Sequence, residues 1–349
     1  MKALVFEEVE KVAVASVPEP RIEAAGDVLL KVEVAGLCGS DLHVWHGRER
    51  GLDAGTVMGH EYVGRVVERG PAVDDLRVGD LVAGSFSTSC GECFYCLNGL
   101  PARCEQGELF GWVEGGRGLH GAQAEYLRVP LAQSTLVEVP EGCDPEAALF
   151  AGDVLATGFF AAELARVGEG NIAVVLGCGP VGLCAVFGAL ASGAKRVFAV
   201  DAVDGRLELA QRFGAEPLRL DGDPRAAVLE ATAGRGADCL LECVGSSEAT
   251  RLAVDLVRPG GAVGAVGVHT EESFTFTPGQ AYDKNLIYAA GRCPARRYLE
   301  RLLTGLAERR WDPTPIISHR LPLAAGQDAY RAFAERREGC TKIVFRPAG

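Results

Sequence analysis

The sequence predicts an α/β protein in which a doubly wound parallel sheet is inserted into a mostly-β domain. The first part of the 349-residue chain consists of short β segments separated by glycine-rich turns. From about residue 171 to 292, apolar strands alternate with helical periodicity, which is typical of a parallel sheet. From about 293 the chain returns to a helix, a Pro-rich connection and a last strand. We therefore expect one domain formed by both chain ends, with the parallel sheet inserted between them.

The individual elements follow from these patterns. The β segments of the first part are predicted at 3–6, 28–34, 62–67, 81–83 and 124–128. The inserted part is predicted to contain strands at 172–176, 197–200, 239–243 and 262–266, and helices at 206–213 and 248–257. The tail is predicted to contain a helix at 295–309 and a strand at 342–346. The expected domain bounds are 1–149, 150–292 and the return 293–349. The strand near 262–268 is expected at the sheet edge, where it could pair across a two-fold axis.

Composition and charge exclude several classes of partner. The net charge is −12, from 35 basic and 47 acidic residues, which argues against nucleic acid or an anionic membrane. Residues 171–194 carry no charge and are long enough for a membrane span. Glycines interrupt this stretch, however, so a buried strand, a turn and a buried helix explain it better. Met1 leads directly into a β-like segment, so we expect no cleavable signal. Twelve cysteines then indicate a reducing cytoplasm.

Four cysteines lie close together with the spacing C-x2-C-x2-C-x7-C. They are Cys90, Cys93, Cys96 and Cys104. A tetrahedral zinc ion needs four soft ligands about 2.3 Å from its centre, and a short loop with glycine in its turns can supply four thiolates. Two disulfides and chance clustering are the alternatives, and a reducing compartment disfavours the first. The spacing predicts a closed structural zinc site, which says nothing about catalysis.

A glycine-rich turn, Gly177-x-Gly179-x-x-Gly182, follows an apolar strand and begins an apolar helix. In a Rossmann unit the first glycine permits the tight turn and the second lets backbone N–H groups approach a pyrophosphate. The third glycine lets helix and strand pack closely. We expect this turn, with Pro180 and Val181 inside it, to bind a dinucleotide.

The end of the next strand predicts which dinucleotide is bound. Asp201 lies nineteen residues after Gly182. A carboxylate at this position accepts hydrogen bonds from the adenosine ribose and repels a 2′-phosphate, which favours NAD(H) over NADP(H). Arg206 is a candidate to flank the adenosine, and a solvated arginine at a helix start is the alternative.

Three further residues form a candidate second metal site. Cys38 lies in GLCGSDLH and His60 in GHE, each among glycines and polar residues. Asp153 lies in the apolar segment FAGDVLATGF, where a carboxylate is costly unless it is paired or bound to metal. Singly, a cysteine or histidine is usually structural. Together the three would supply S, N and O ligands and leave a fourth position open.

Taken in this order, the GLCGSDLH segment, the GHE motif, the four cysteines and the VLGCGPVG turn resemble the zinc-containing medium-chain alcohol dehydrogenases. The resemblance covers essentially the whole chain. It is strongest to bacterial members in which an aspartate in an FxGD-type motif replaces the usual third cysteine ligand. The fold that it implies is a mostly-β GroES-like catalytic domain joined to a Rossmann domain.

The resemblance also implies roles for individual residues. Cys38, His60 and Asp153 match the catalytic zinc ligands, and the four clustered cysteines match the structural zinc ligands, so two zinc ions per subunit are expected. Glu61 matches a glutamate beside the metal that in some relatives becomes a ligand. Ser40 and His43 match a relay that carries the substrate proton to solvent through the nicotinamide ribose. A surface role is the alternative for His43. An oxygen ligand in place of a thiolate makes the site less selective for zinc.

These expectations define a function. The chain is expected to transfer a hydride between NAD(H) and a small uncharged alcohol, aldehyde or ketone, because no cluster of basic residues demands an anionic substrate. The candidate apolar pocket walls, for which an ordinary core position is the alternative, are Trp45, Phe86, Phe110 and Trp112. The alternatives are a polyol, threonine or formaldehyde-type dehydrogenase, a dismutase that retains its NAD, and a non-catalytic zinc- and nucleotide-binding scaffold. The family resemblance implies a homo-oligomer, a tetramer or a dimer, and the cysteine usage places it in the cytoplasm.

Overall fold

The chain divides into two compact units. The computed structural model describes residues 1–335 and 339–347. One unit comprises Met1–Asp153 and Pro294–Gly349, and the other comprises Val154–Cys293.

The elements are numbered here in chain order. The strands are β1 Lys2–Glu8, β2 Lys11–Ser16, β3 Val28–Leu37, β4 Tyr62–Arg69, β5 Leu81–Gly84, β6 Trp112–Glu114, β7 Arg117–Leu119, β8 Tyr126–Val129, β9 Leu136–Glu138, β10 Ile172–Leu176, β11 Arg196–Asp201, β12 Glu216–Arg219, β13 Ala237–Glu242, β14 Val257–Ala265, β15 Ile287–Ala290, β16 Ile317–Leu321 and β17 Lys342–Phe345. The helices are α1 Asp41–Trp45, α2 Phe94–Leu97, α3 Ala132–Thr135, α4 Pro145–Ala151, α5 Val154–Leu164, α6 Pro180–Ala191, α7 Asp204–Arg212, α8 Pro224–Ala231, α9 Ser247–Leu256, α10 Pro278–Lys284, α11 Ala295–Ala307 and α12 Gly326–Ala334.

The first unit is built around a seven-stranded sheet. Its strand order is β16-β17-β3-β4-β5-β9, and β8 also pairs with β3. All pairs are antiparallel except β16 with β17. Because β17 comes from the end of the chain and β3 from its beginning, both ends contribute to one sheet. This sheet carries a large core that includes Leu30, Tyr62 and Phe345.

The second unit contains a six-stranded parallel sheet in the order β12-β11-β10-β13-β14-β15. From β10 the chain adds β11 and then β12 on one side. It then returns to the other side of β10 and adds β13, β14 and β15. The crevice at the carboxyl ends of β10 and β13 is therefore the place where ligands of such sheets bind. The predicted α/β fold class is confirmed.

One expectation about this sheet was wrong. The strand near 262–268 does not lie at the edge, because β14 has β13 on one side and β15 on the other. The edge strand β15 has only four residues, too few to show a recognisable alternation in the sequence.

The uncharged stretch 171–194 forms β10, the glycine turn and α6, as the strand–turn–helix interpretation predicted. Most of α6 is buried, which accounts for its lack of charge. A different helical segment, Pro145–Leu164, is long and apolar enough to cross a membrane by length and composition alone. Inside the protein 83% of its apolar window is buried, as in the core helix of a globular domain.

Candidate metal centres and dinucleotide turn

Cys38, His60 and Asp153 converge within the first unit although they are far apart in the sequence. Cys38 follows β3, His60 precedes β4 and Asp153 follows α4. The Cys38 Sγ lies 3.4 Å from Asp153 Oδ2, and His60 Nε2 lies 3.3 Å from the same oxygen. One ligand atom from each residue lies within 4.8 Å of the others. This spacing suits three ligands around one divalent ion.

Asp41, the first residue of α1, determines how Cys38 and His60 are presented. Its Oδ2 accepts a hydrogen bond from the Cys38 backbone N–H at 2.9 Å. Its Oδ1 lies 3.2 Å from His60 Nδ1. A carboxylate on one imidazole nitrogen fixes the ring and leaves the other nitrogen for a metal. His60 therefore turns Nε2 towards Cys38 and Asp153.

The pKa values of the residues in this group depend on one another, because their charged atoms lie close together. Burial lowers the pKa of His60, but Asp41 and Asp153 outweigh it and raise that pKa well above its ordinary value. Burial raises the pKa of Asp153, but the hydrogen bond with His60 outweighs it and holds that pKa low. Burial and the nearby carboxylates raise the pKa of the Cys38 thiol. A buried site with these S, N and O donors needs a cation to hold the thiolate form, so the donor set fits zinc.

Glu61 follows His60 directly and pairs with Lys342 at the other end of the chain. The Lys342 ammonium donates to Glu61 Oε2, and both side chains are about 1% exposed. Glu61 Oε1 has no hydrogen-bond partner within the described residues and is buried. A Cβ at Gly36 would lie 1.8 Å from Glu61 Oε2, so only glycine fits there. The sequence analysis missed Lys342 because 281 residues separate it from Glu61.

Ser40 and His43 lie beside this group but contact different partners. Ser40 Oγ lies 3.2 Å from His60 Nε2. His43 lies on α1, and its Nδ1 is buried without a hydrogen-bond partner among residues 1–335 and 339–347. Burial lowers the pKa of His43, an effect that the charge of Arg48 reinforces and that of Glu49 opposes. The imidazole is therefore neutral near pH 7.

The four clustered cysteines form a second group of ligand atoms, all within 4.8 Å of one another. Cys90 Sγ lies 4.0 Å from Cys96 Sγ, and Cys93 Sγ lies 3.9 Å from Cys104 Sγ. Four sulfurs bound tetrahedrally at 2.3 Å would be about 3.8 Å apart, whereas a disulfide needs about 2.05 Å. All four cysteines are free, so the arrangement favours the zinc interpretation over two disulfides.

Backbone N–H groups already point at these sulfurs. Cys104 Sγ accepts from the N–H of Cys90 at 3.2 Å, and Cys90 Sγ accepts from the N–H of Cys93 at 3.3 Å. Backbone hydrogen bonds from Cys96 and Glu105 lower the pKa of the Cys93 thiol to about 6. Burial raises the pKa of Cys96 to about 12. The backbone N–H groups thus favour the thiolate of Cys93, whereas the thiolate of Cys96 needs a cation to offset its burial.

The three glycines of the turn in the second unit meet different constraints. Gly177 has φ +83°, a left-handed conformation that favours glycine. A Cβ at Gly182 would lie 1.7 Å from the Gly177 carbonyl oxygen, which only glycine avoids. A Cβ at Gly179 would meet no atom of the described residues within 4 Å. The second glycine therefore leaves open space in front of α6, which begins with Pro180 and Val181.

Asp201 holds this turn from the end of β11. Its Oδ2 accepts from the Cys178 N–H at 2.7 Å, and its Oδ1 accepts from the Val203 N–H at 2.9 Å. Arg206 reaches to 3.7 Å from the Asp201 carboxylate. The Asp201 carboxylate thus holds the backbone of the turn, whether or not it also contacts a ribose. The sequence spacing alone did not reveal this structural role.

The four candidate pocket residues divide into two kinds. Trp45 and Phe110 belong to the core of the first unit: Trp45 packs at 5.3 Å from the ring of Tyr330, and Phe110 packs at 5.1 Å from the ring of Tyr62. Trp112 is partly buried against the same core, and Phe86 is 9% exposed. The core interpretation therefore holds for Trp45 and Phe110.

The fold and the two ligand groups define a dehydrogenase that uses zinc and a nicotinamide cofactor. The family described as "Alcohol dehydrogenase GroES-like domain" matches residues 24–141, and "Zinc-binding dehydrogenase" matches residues 180–293. The chain belongs to the zinc-containing medium-chain alcohol dehydrogenase family, as the sequence resemblance predicted.

Similar proteins match most or nearly all of the chain. "Zinc-type alcohol dehydrogenase B" of Aspergillus flavus is 41% identical, over 99% of this chain and 81% of that protein. The solved structure of "Alcohol dehydrogenase TADH from Thermus sp. ATN1" has a TM-score of 0.94 and is 39% identical, over 99% of both chains. "L-threonine 3-dehydrogenase" of Streptomyces coelicolor is 37% identical, over 78% of both chains.

Proposed function

We propose that this protein is an NAD(H)-dependent dehydrogenase that interconverts small uncharged alcohols with aldehydes or ketones, using one catalytic zinc ion. The observation that carries the proposal is the convergence of Cys38 Sγ, His60 Nε2 and an Asp153 oxygen in one buried group. Three ligands of this kind leave a fourth coordination position for a substrate oxygen.

Cys38, His60 and Asp153 would hold the catalytic ion. Bound there, zinc would supply the Lewis acidity that lowers the pKa of an alcohol, and the nicotinamide would accept the hydride. The thiolate and the carboxylate contribute two negative charges, the same total as two cysteine ligands would. Glu61 is restrained by Lys342, and its second oxygen has no partner within the described residues, so it is the candidate for an alternate ligand.

Ser40 and His43 would move the substrate proton. The Ser40 hydroxyl lies beside the ligand group, 3.2 Å from His60 Nε2, where it can accept the proton of an alcohol. Burial keeps His43 neutral near pH 7, so it can take up a proton that is bound for solvent.

The preference for NAD(H) rests on Asp201. Its negative charge at the end of β11 would repel a 2′-phosphate, while its oxygens would face ribose hydroxyls. Gly177, Gly179, Pro180, Val181 and Gly182 would cradle the pyrophosphate, for which the free space at Gly179 provides room. Arg206, beside Asp201, would flank the adenosine.

The four-cysteine loop would hold a second, structural zinc ion, which gives two per subunit. Sulfur separations of 3.9 and 4.0 Å support this assignment, as does the closed set of four thiols.

A cytoplasmic homo-oligomer, a tetramer or a dimer, completes the proposal. Many free cysteines suit a reducing compartment. The edge strand β15 has an aromatic cluster beside it, in which Phe274, Phe276 and Tyr288 contact one another. Phe274 is 67% exposed and Tyr282 is 84% exposed, as expected of a surface that a second subunit covers.

The similarity to a threonine dehydrogenase makes threonine an alternative substrate. Polyol, threonine and formaldehyde-type activities, or dismutation with retained NAD, would use the same ligand group. A non-catalytic scaffold is disfavoured by the intact set of metal ligands and by the similarity to alcohol dehydrogenases.

The test combines metal analysis with substrate profiling. Purified protein is expected to contain two zinc ions per subunit and to oxidise small uncharged alcohols faster with NAD⁺ than with NADP⁺. The panel includes primary and secondary alcohols, polyols, threonine and formaldehyde. Cys38→Ser is expected to retain one zinc ion and to lose turnover while its circular dichroism stays unchanged.

Cys143→Ser is the matched control, because Cys143 and Cys38 are each 8% exposed and Cys143 belongs to neither ligand group. This control is expected to keep both zinc ions and full turnover. An enzyme that remains fully active after complete removal of zinc would contradict the proposal.

A further inference from the structure

A buried amide, that of Gln123, lies between the two segments that carry Cys38 and His60. Gln123 is 0% exposed, and it lies in the loop before β8. Its Nε2 donates to the Gly36 carbonyl at 3.1 Å, two residues before Cys38. Its Cγ lies against Gly59, the residue before His60, where a Cβ would approach to 2.5 Å. One side chain thus contacts both ligand-bearing segments.

The backbone of the same loop strengthens this link. The N–H of Gln123 donates to the Met58 carbonyl at 2.8 Å, and the N–H of Ala122 donates to the Gly59 carbonyl at 2.9 Å. The Gln123 carbonyl accepts from Leu4 N–H at 2.8 Å, which anchors the loop to β1. The Gln123 side chain therefore projects from a fixed backbone.

Gln123 also faces the carboxylate that orients the metal ligands. Its Nε2 lies 3.5 Å from Asp41 Oδ2, the oxygen that accepts the hydrogen bond from Cys38 N–H. The other oxygen of Asp41 faces His60 Nδ1 at 3.2 Å. The amide, the carboxylate and the imidazole thus form a chain of polar contacts that ends at His60.

Tyr330, on α12, determines which way the amide points. Its hydroxyl donates to Gln123 Oε1 at 2.9 Å, and Tyr330 is 0% exposed. Burial raises the pKa of Tyr330 well above its ordinary value, so the hydroxyl remains a donor. The amide NH₂ then faces two acceptors, the Gly36 carbonyl and the Asp41 carboxylate, and a rotated amide would lose these contacts.

We propose that Gln123 and Tyr330 are positioning residues for the catalytic metal site, acting through Asp41 on Cys38 and His60. Tyr330 fixes the amide, and the amide holds the Asp41 carboxylate and the Cys38 segment in register with His60. This inference rests on the proposed function of Cys38, His60 and Asp153 as zinc ligands. The further claim is that Gln123 and Tyr330, which do not touch the ion, affect how tightly the ion is held. Mutating such partners outside the ligand set typically changes metal affinity by about 10–100-fold.

The test measures the metal rather than the reaction. Wild-type protein, Tyr330→Phe and Gln123→Glu are loaded with zinc, and release to a chelator is followed by a colorimetric indicator. Tyr330→Phe removes one hydroxyl and is expected to speed release from the catalytic site by about tenfold. Gln123→Glu places a carboxylate against Asp41 and is expected to speed it by about 10–100-fold. Cobalt substituted at the Cys38 site is expected to show shifted visible absorption bands in both variants.

Tyr62→Phe is the matched control, because Tyr62 is 1% exposed and its hydroxyl has no hydrogen-bond partner among the described residues. It removes a buried hydroxyl from the same unit without breaking a bond. This control is expected to release zinc at the wild-type rate. If Gln123→Glu does not fold, the Tyr330→Phe result decides.

The outcomes separate the two proposals. Wild-type release rates and wild-type cobalt bands in Tyr330→Phe, in a protein that binds zinc at the Cys38 site, would overturn the positioning roles alone. Wild-type protein that binds no zinc at that site would overturn the proposed function, and this inference with it.

Discussion

Buried carboxylates with different neighbours perform different tasks around the ligand group. Asp153 faces Cys38 and His60, and His60 holds its pKa low despite burial, so it is suited to be the ionised ligand of the proposed zinc site. Asp41 accepts from Cys38 N–H and faces His60 Nδ1, so its lone pairs serve to orient other residues. Glu61 is paired with Lys342. The partner of each carboxylate, rather than its residue type, determines its role.

His43 gives a pH-dependent prediction at this scale. We expect His43→Ala to lower kcat by about 10²-fold, because the proton loses its acceptor. In the wild type, burial puts the pKa of His43 below 6.5, so the rate should rise with pH through that lowered value as the neutral form appears. The variant should lack this step in its kcat–pH profile between pH 5 and 9.

His46→Ala is the control for this experiment. His46 lies on the same turn of chain, with its side chain 32% exposed and 3.9 Å from Glu10. It should keep the step in the kcat–pH profile, moved at most slightly upwards in pH, because the charge of His46 makes only the smallest contribution to the lowered pKa of His43. A His43→Ala profile that coincides with the wild-type profile would remove His43 from the relay.

Glu146 gives a prediction about stability. It lies in the first turn of α4, the helix that leads to Asp153, and its carboxylate accepts from Arg320 at 2.9 Å and from Arg346. Burial raises its pKa, but the two arginines outweigh burial and hold that pKa low. A lowered pKa in the folded state contributes stability that is present above the unfolded value of about 4.3 and is lost as the pH falls through the folded value.

We therefore expect Glu146→Gln to lower the free energy of unfolding by about 1–2 kcal/mol at pH 7, since both arginines are about half exposed. The difference from wild type should shrink below about pH 4. Urea unfolding at pH 7, 5 and 3.5 would measure it. Glu300→Gln, which removes an exposed partner of Arg296 at 3.9 Å, should change little at any pH. A Glu146→Gln difference that persists undiminished at pH 3.5 would show that the ion pairs are not its cause.

At the scale of elements, substitutions at two glycines of the turn before α6 are expected to affect different properties, stability in one case and NAD(H) binding in the other. Gly182→Ala would place a Cβ 1.7 Å from the Gly177 carbonyl oxygen, so it should destabilise the protein by about 2–3 kcal/mol. In Gly179→Ala the new Cβ would meet no atom within 4 Å in the part of the chain that the structure describes, and Gly179 has φ −66°, so stability should change by less than about 0.5 kcal/mol. This substitution should nevertheless weaken NAD(H) binding by about tenfold, because the methyl group enters the space left for the pyrophosphate.

Thermal unfolding and fluorescence titration with NADH would measure the two effects. Each glycine variant serves as the control for the other, since both add one methyl group to the same turn. Unweakened NADH binding in Gly179→Ala would mean that the pyrophosphate does not lie there.

Local patterns predicted much of this architecture, because their physical causes are local. The four cysteines and the glycine turn are short motifs whose spacing suits one ion or one turn, and the apolar run at Ile172–Leu176 reflects a strand buried on both faces. The contacts of Lys342 with Glu61 and of Tyr330 with Gln123 join residues 281 and 207 positions apart. A single sequence holds no signal for such pairs, and a four-residue strand such as β15 is too short to show a period.

At the scale of the whole molecule, the candidate metal ligands and the candidate dinucleotide-binding residues belong to different units. All seven residues of the two ligand groups belong to the unit formed by Met1–Asp153 and Pro294–Gly349, whereas the glycine turn and Asp201 belong to Val154–Cys293. The unit that contains both ligand groups is discontinuous in sequence. Its β3 pairs with β17, and Glu61 and Gln123 each have one partner beyond residue 294. The unit that contains the glycine turn is one continuous segment with its own sheet and core.

This division predicts different behaviour for two fragments. Residues 154–293 expressed alone should unfold cooperatively in urea and bind NADH, because the six parallel strands and their core are complete. This fragment should contain no zinc, because both ligand groups belong to the other unit.

Residues 1–153 alone should not fold cooperatively, because β3 lacks β17 and the Glu61 carboxylate would be buried without Lys342, at a cost of about 3–5 kcal/mol. Circular dichroism, urea titration and zinc analysis of both fragments would test this. A cooperatively folded 1–153 fragment with two bound zinc ions would show that the C-terminal return is dispensable for the metal sites, which would contradict the structural role assigned to Lys342 and Tyr330.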